Sequence, residues 1–447
     1  MEALNAFDEA KMGYACDIDG SYIEVLKNWL SDYDGGILAR VETADFFSKD
    51  WESALDNLPE PILVIGNPPW VTNSQLGQLK SDNLPAKQNH KKMKGLDALT
   101  GKSNFDISEW MINRMIEWLQ EKQGTVAMLC KTSVARKVLL NSWKRDKKME
   151  VATMHLIDSK SYFQISAEAC LLTITSSYEK HKECKVYNSI QADNPAQTIG
   201  LRDCFLVADI HGYEKTKHLI ENGQHYKWRT GIKHDCSKVM ELEKIGKDRY
   251  INGFGETSEL EDLCLYPLLK GSGLANGKTP EKFMLVPQTK IGQETRYLAE
   301  TAPKTLEYLI KYGDLLDRRV SSIYKGKPRF SVFGVGDYTF SSWKVAIPAL
   351  YKQLEFFVVG PHEGKAVVFD DTVNFIAMDN AEESYRLAEQ LNSNTANIFY
   401  RSFIFWDSKR PITVQLLRSL DIDRLLAESG SEFKYSISKT SRQLQLI

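Results

Sequence analysis

The sequence contains one short stretch whose residue types could do chemistry by themselves, the tetrapeptide Asn67-Pro68-Pro69-Trp70 directly after the apolar run PILVIG. Asn67 supplies an amide oxygen. Because proline fixes its own φ and restricts the residue before it, the carbonyl of Pro68 has a fixed direction. Two rigid acceptors that face one point would accept both hydrogens of an NH2 group. The nitrogen then becomes pyramidal, and its lone pair points at an electrophile without a strong base.

Trp70 adds a large flat ring to this turn. Such a ring stacks on planar groups, as the side chains that hold flipped nucleobases do. A second interpretation stays open, in which the prolines form an ordinary turn and Trp70 packs in the core. The position after an apolar strand favours the chemical interpretation, because ligands bind at the carboxyl ends of strands in parallel sheets.

Two further strand ends carry an acid beside an apolar side chain. Asp17 and Ile18 close the run KMGYACDID, and Asp45 and Phe46 follow the run GILARVET. An aspartate suits the hydroxyl groups of a ribose or the exocyclic amine of an adenine, while the apolar neighbour packs on the ring. Asp19 or Asp17 could instead cap the helix that starts near Ser21, and Asp45 and Phe46 could simply begin a short helix.

The elements that must position these residues follow an alternating pattern in the first half of the chain. Apolar runs such as PILVIG, GTVAMLC and ATMHLID alternate with amphipathic stretches such as FDISEWMINRMIEWLQEK. This alternation predicts an α/β domain over residues 1–210, with a mostly parallel sheet covered by helices on both faces. Shorter segments rich in aromatic and basic residues predict a second, α+β domain over residues 211–447.

The composition limits the class of protein. A chain of 447 residues with 43% hydrophobic residues can bury sizeable cores, and its net charge of −2 excludes a uniformly basic nucleic-acid coat. Seven widely spaced cysteines without a CxxC pair predict buried thiols in a reducing cytoplasm. The sequence shows no membrane-length apolar run, no signal-peptide pattern and no zinc-type histidine spacing, so neither a membrane partner nor a metal is predicted.

Positive charge concentrates in a basic segment (residues 318–329). It contains five cations together with serines and a tyrosine, which suits contacts with phosphates and some base edges. A solvated charged surface is the alternative. The cations are Arg318, Arg319, Lys325, Lys327 and Arg329.

The tetrapeptide at residues 67–70 resembles the catalytic motif of class I S-adenosylmethionine-dependent amino-methyltransferases. The layout of the whole chain is similar to that of bacterial DNA adenine-N6 methyltransferases of restriction-modification systems. The resemblance implies a Rossmann-like methyltransferase domain in which Asn67, Pro68, Pro69 and Trp70 are catalytic. It further implies S-adenosylmethionine as the cofactor and double-stranded DNA as the partner.

The same resemblance implies roles for other residues. The pair Asp17 and Ile18 would hold the ribose and adenine of the methyl donor, and Asp45 and Phe46 would bind and stack on its adenine. Phe163, in DSKSYFQISAEACLLTI, matches an aromatic position that covers the other face of the flipped base, although a core phenylalanine remains an equal interpretation. The stretch RRVSSIYKGKPRFSVFGVGDYTF is similar to target-recognition regions, so the basic segment is expected to contact DNA.

One element of the family pattern is expected to be missing. The family carries a glycine-rich loop after a first strand, whereas only sixteen residues precede Asp17 here. We therefore expect an amino-terminally incomplete methyltransferase domain, or a separate chain that supplies the loop, and we expect a cognate restriction endonuclease as a further partner. Three alternatives stay open: a non-catalytic DNA-binding or specificity subunit or remnant, an RNA adenine methyltransferase, and a protein glutamine methyltransferase.

Overall fold

The chain divides into two compact units, Met1–Val207 and Ala208–Ile447, in a computed structural model. The division lies close to the boundary expected from the sequence, and the roles assigned to the two domains stay predictions. The structure describes residues 6–7, 9–31, 38–71, 106–164, 168–220, 226–408 and 410–428.

The amino-terminal unit alternates strands and helices as its sequence pattern predicts. Its described strands are β1 (Met12–Asp17), β2 (Leu38–Thr43), β3 (Ile62–Gly66), β4 (Gly124–Lys131), β5 (Ala152–Ile157), β6 (Ala169–Thr175), β7 (Glu183–Tyr187), β8 (Gln197–Arg202) and β9 (Phe205–Val207). Its described helices are α1 (Gly20–Ser31), α2 (Trp51–Asp56), α3 (Ile107–Trp118), α4 (Thr132–Lys144) and α5 (Ser159–Phe163).

Seven of these strands form one sheet in the order β3-β4-β6-β5-β7-β8-β9, while β1 and β2 form a parallel pair. The pairs β3–β4 and β5–β7 are parallel, and the other pairs of the sheet are antiparallel. The α/β class is confirmed, but the sheet is mixed and the prediction of a mostly parallel sheet is wrong. The strands β7, β8 and β9 follow one another through short connections, which join antiparallel neighbours, and β6 runs antiparallel between β4 and β5.

The strand β4 anchors the part of the sheet that carries the Asn-Pro-Pro-Trp turn (residues 67–70). Its side chains alternate between buried and half-buried positions, and α3 and α4 pack against it and against each other. Apolar residues such as Ile112, Met128 and Val138 are fully buried there. Burial of each such side chain contributes about 1.5–3 kcal/mol to the unfolding free energy. The ends of β3 and β4 therefore lie on a well-packed core.

The carboxy-terminal unit contains a six-stranded sheet (β13-β12-β11-β15-β14-β18) and a four-stranded sheet (β10-β19-β16-β17). Its described strands are β10 (Arg229–Thr230), β11 (Glu241–Gly246), β12 (Arg249–Ile251), β13 (Thr257–Glu259), β14 (Leu265–Leu269), β15 (Lys282–Leu285), β16 (Trp343–Pro348), β17 (Phe357–Val359), β18 (Val368–Phe369) and β19 (Val373–Met378). Its described α-helices are α6 (Ile210–Thr216), α7 (Ser237–Met240), α8 (Gly271–Ala275), α9 (Leu298–Thr301), α10 (Pro303–Lys311), α11 (Gly313–Asp317), α12 (Ala381–Leu391), α13 (Asn394–Phe403), α14 (Val414–Leu417) and α15 (Ile422–Glu428).

The cysteines are unpaired, as the sequence predicts. Cys130, Cys170, Cys184 and Cys264 are buried, and burial raises the pKa of the Cys184 thiol to about 12. Cys204 is exposed, so the prediction of buried thiols is wrong at this position, which lies in the tight connection between β8 and β9. Within the described ranges, no helix has the length and apolar character needed to span a membrane.

Candidate functional site

The Asn-Pro-Pro-Trp turn begins where β3 ends. Gly66, the last residue of β3, lies opposite Met128 of β4 in parallel register. Pro68 is buried, whereas Asn67 is exposed, and the Asn67 side chain makes no hydrogen bond with the described part of the chain. The exposure of Asn67 agrees with the chemistry predicted for the turn, in which its amide oxygen accepts a hydrogen bond from the substrate.

The indole ring of Trp70 is held in a defined direction. Its Nε1 donates a hydrogen bond to the Leu129 carbonyl at 3.3 Å, and its ring centroid lies 6.5 Å from that of Phe163, the last residue of α5. The structure thus brings the two residues expected to stack on the target base together. Their planes meet at 76°, so a base between two parallel ring faces would require Phe163 to rotate.

The sequence patterns do not single out Lys131, which contacts this turn, or Ile107, which contacts the residue that follows the turn. Lys131 Nζ donates to the Trp70 carbonyl at 3.0 Å and to Asp106 Oδ2 at 2.8 Å. The backbone N–H of Ile107 donates to the Val71 carbonyl at 3.1 Å. Since Lys131 is the polar residue that ends the apolar run of β4, the strand-end rule that identified Asn67 could also have found it.

The acid predicted to hold a ribose lies at the end of β1. Asp17 is exposed; its Oδ1 accepts the N–H of Asp19 at 2.8 Å, and its other oxygen accepts no hydrogen bond from the residues that the structure describes. Asp19, in contrast, accepts the N–H and the hydroxyl of Ser21, and these bonds lower the pKa of its carboxyl group. The capping alternative therefore applies to Asp19, while Asp17 keeps an oxygen for a ligand next to the 55%-exposed side chain of Ile18.

The second acid lies at the same end of the β1–β2 pair. Asp17 is opposite Thr43 in the parallel register, and its carbonyl accepts the N–H of Ala44 at 2.9 Å. Asp45 Oδ1 accepts the N–H of Phe47 at 2.9 Å, which shapes the loop after β2. The structure thus places the two acidic strand ends at the same end of the strand pair, and their role in binding a methyl donor stays a prediction.

Phe46 lies half-buried in an aromatic cluster. Its ring centroid is 5.2 Å from that of Trp51 and 5.5 Å from that of Trp118, and its carbonyl accepts Trp51 Nε1 at 2.9 Å. The helix α2 begins only at Trp51, with Asp50 as its N-cap, so Phe46 belongs to the loop and not to a helix start. The ring is positioned by the cluster and keeps part of its surface accessible.

A charged network holds this loop against the strand pair. Tyr14 of β1 and Lys49 of the loop both donate hydrogen bonds to the carboxylate of Glu42 on β2. These bonds, that from Lys49 first, lower the pKa of the Glu42 carboxyl group. The network holds the loop at Lys49, which lies at the other end of the loop from Asp45.

The cations of the basic segment differ in their surroundings. Arg318, Lys325 and Lys327 are exposed and form no ion pair with the described part of the chain. Arg329 pairs with Asp317, Nη2 to Oδ2, at 2.8 Å. Three of the five cations are therefore open to a phosphate.

Arg319 packs within the carboxy-terminal unit. Its Nε donates to the Leu316 carbonyl and its Nη1 to the Ser331 carbonyl, both at 2.8 Å, and its guanidinium lies 3.9 Å from the centre of the Tyr324 ring. Burial lowers the pKa of the Arg319 guanidinium. This geometry favours a structural role, and the assignment of Arg319 to DNA binding stays a prediction. No cluster of three or more potential metal ligands occurs within the described ranges.

Comparisons with known proteins add a relative and a shared fold. No family model matches the chain. The type II methyltransferase M.NspV from Nostoc sp. is 43% identical over 429 residues, which are 95% of this chain and 88% of the relative. The type IIL restriction-modification enzyme MmeI, solved in complex with DNA, is 13% identical with a TM-score of 0.53 over 90% of this chain and 52% of its own. This chain thus spans about half the length of MmeI, with which it shares a fold.

Proposed function

We propose that this chain transfers a methyl group from S-adenosylmethionine to N6 of an adenine in double-stranded DNA. The chain belongs to the type II DNA methyltransferases of restriction-modification systems. The observation that carries the proposal is the Asn-Pro-Pro-Trp turn, with an exposed Asn67 amide at the carboxyl end of a parallel strand.

The residues of the turn have separate roles at the target amine. The Asn67 amide oxygen and the Pro68 carbonyl accept the two N–H hydrogens of the adenine amine. The amine nitrogen then becomes pyramidal, and its lone pair points at the electrophile. Trp70 stacks on the adenine, and Phe163 covers the base from the side. After transfer, the nitrogen loses one proton to solvent, which needs no strongly basic side chain.

The acidic strand ends would hold the methyl donor. Asp17 would accept the ribose hydroxyls and Asp45 the adenine amine, with Ile18 and Phe46 against the adenine ring. When bound, S-adenosylmethionine supplies an electrophilic methyl group.

The relationship to a named methyltransferase favours an enzyme over a subunit that only binds DNA. The proposal includes the exposed cations Arg318, Lys325 and Lys327 as phosphate contacts, a cognate restriction endonuclease as the functional partner, and the cytoplasm as the site of action.

The test is transfer of a labelled methyl group to unmethylated duplex DNA, followed by identification of the labelled base. We expect label in N6-methyladenine, and we expect Asn67→Ala to lower kcat by about 10²–10³-fold, because one transition-state hydrogen bond is removed. DNA affinity should stay unchanged. Asn194→Ala is the matched control, since Asn194 is an exposed asparagine in the connection between β7 and β8 of the same unit.

Three results would contradict the proposal. Label in cytosine would assign a different amine, and label in RNA or in protein glutamine in place of DNA would assign a different substrate. Full activity of the Asn67→Ala variant would remove the turn from the mechanism.

A further inference from the structure

The Asn-Pro-Pro-Trp turn receives little support from its own backbone. Pro68 and Pro69 have no N–H group to donate, and β3 has β4 as its one hydrogen-bonded neighbour among the described strands. On β3 itself, Leu63 and Ile65 are 42% and 48% exposed. Among the described residues, the side-chain hydrogen bonds that reach the Trp70 end of the turn involve β4.

Lys131 supplies such a contact from the end of β4. Its ammonium lies 3.0 Å from the Trp70 carbonyl oxygen and 2.8 Å from Asp106 Oδ2. The Lys131 side chain is 29% exposed and that of Asp106 is 8% exposed, so the pair is only partly screened by water. A hydrogen bond from an ammonium group is stronger than one between neutral groups.

Asp106 is itself fixed, because it caps α3. Its Oδ1 accepts the backbone N–H of Ser108 at 3.2 Å and the Ser108 hydroxyl at 2.6 Å, which leaves Oδ2 for Lys131. The next residue, Ile107, donates its N–H to the Val71 carbonyl at 3.1 Å. Two consecutive carbonyls, those of Trp70 and Val71, are thus tied to the end of β4 and to the start of α3.

We propose that Lys131, held in place by Asp106, is a positioning residue that fixes the Asn-Pro-Pro-Trp turn for methyl transfer; this inference rests on the proposed function. Lys131 acts on the Trp70 peptide and not on the target amine. A rotation of that peptide shifts both the indole ring and the adjacent acceptors of the turn. Since a displacement of about 1 Å at a reacting group can cost about 10²-fold in rate, the interaction matters for chemistry more than for binding.

The kinetic test compares Lys131→Met with Lys131→Arg in the full chain. We expect Lys131→Met to lower kcat by about 10²-fold with the KM for the methyl donor and the DNA dissociation constant unchanged. Lys131→Arg keeps a cationic donor and should recover part of the activity. The matched control is Lys137→Met, which removes a lysine of α4 that faces Glu109 of α3 at 3.8 Å without touching the turn.

A second measurement detects the position of Trp70 without any need for activity. In protein with isotope-labelled indole nitrogen, one of nine tryptophan N–H resonances belongs to Trp70 and can be assigned with Trp70→Phe. We expect Lys131→Met and Asp106→Asn to shift this resonance, because both loosen the Trp70 peptide next to the indole that donates to Leu129. Asn is a good N-cap, so Asp106→Asn should keep α3 intact while it removes the charge opposite Lys131.

The outcomes separate the inference from the proposed function. A wild-type chain that labels no adenine contradicts the proposed function, whereas an unmoved Trp70 resonance in both folded variants overturns the positioning role. Weaker DNA binding by Lys131→Met with unchanged kcat would make Lys131 a phosphate-binding residue and would also overturn it. An equal decrease of kcat in Lys137→Met would show a general effect of charge removal and would also overturn the positioning role.

Discussion

Lys131 in the amino-terminal unit and Lys344 in the carboxy-terminal unit both donate to backbone carbonyl oxygens, and the two lysines differ in the charge that surrounds them. Lys131 donates to the Trp70 carbonyl and has the carboxylate of Asp106 beside it. Lys344, on β16, is 1% exposed and donates to the carbonyls of Ser341 and Val367 at 2.5 and 2.9 Å. No carboxylate pairs with Lys344 in the described ranges, and its burial lowers the pKa of the ammonium group to about 7.

The difference teaches that similar hydrogen bonds with carbonyls can serve two purposes. The carboxylate of Asp106 compensates the charge of Lys131, so that this lysine can orient the neighbouring Trp70 peptide. Lys344 lies instead among the rings of Phe369 and Phe375, with its Nζ about 6 Å from both ring centres. There, the charged form carries a desolvation penalty that the neutral form does not have.

The largest expected effect is a dependence of the unfolding free energy on pH that arises from Lys344. The Lys344 ammonium has a pKa of about 7 in the folded chain, against the ordinary lysine value of 10.5. Between these values the unfolded chain binds one proton more than the folded chain, so the stability contributed by Lys344 rises with pH, by about 1.4 kcal/mol per pH unit. We expect Lys344→Met to flatten the plot of unfolding free energy against pH in this window. Denaturant unfolding at a series of pH values measures it.

The control for this prediction is Lys352→Met, which removes an exposed lysine of the same unit. It should leave the pH dependence as it is in the wild type, because water solvates an exposed side chain in both the folded and the unfolded chain. Equal slopes for wild type and Lys344→Met would show that Lys344 stays charged in the folded protein.

The next effect concerns a cation that is held by carbonyls but lies in the basic segment. We expect Arg319→Ala to lower the unfolding free energy by about 2 kcal/mol, because it removes hydrogen bonds from a charged group and the packing on Tyr324. The measurement is the denaturant midpoint, with Arg318→Ala as the control, since Arg318 is its exposed neighbour. Equal midpoints for the two variants would exclude the structural role of Arg319.

The smallest effect is expected from the exposed cations and is measurable only with DNA. Replacement of Arg318, Lys325 and Lys327 by alanine should reduce the magnitude of the slope of log affinity against log salt by about 0.9 for each phosphate that is no longer neutralised. Arg329→Ala should change it less, because Asp317 already neutralises Arg329. Titration of a labelled duplex at several salt concentrations measures the slopes. An unchanged slope in the triple variant would support the solvated-surface interpretation.

The sequence predicts best those features that depend on local order along the chain. Asp17, Asp45 and Asn67 lie at or just after strand ends because apolar runs are followed there by polar residues, and the parallel register of β1 and β2 then brings the first two to one end. The same rule would have extended to Lys131 at the end of β4.

Features that depend on distant partners could not be predicted. The partners of Arg319 lie at Leu316, Ser331 and His234, so its charge alone could not distinguish it from Arg318. The antiparallel position of β6 between β4 and β5 likewise depends on how whole strands pair. An apolar run does not indicate in which direction the strand will run in the sheet.

The bond between Ile107 N–H and the Val71 carbonyl has a consequence for the length of chain that it closes. It joins the residue that follows the turn to the first residue of α3, so the segment between them, residues 72–106, starts and ends at two points that are held together. The entropy cost of bringing two points of a chain together grows only with the logarithm of the length between them. Doubling the number of residues between these points would therefore add only about 0.6 kcal/mol to the cost of keeping them together.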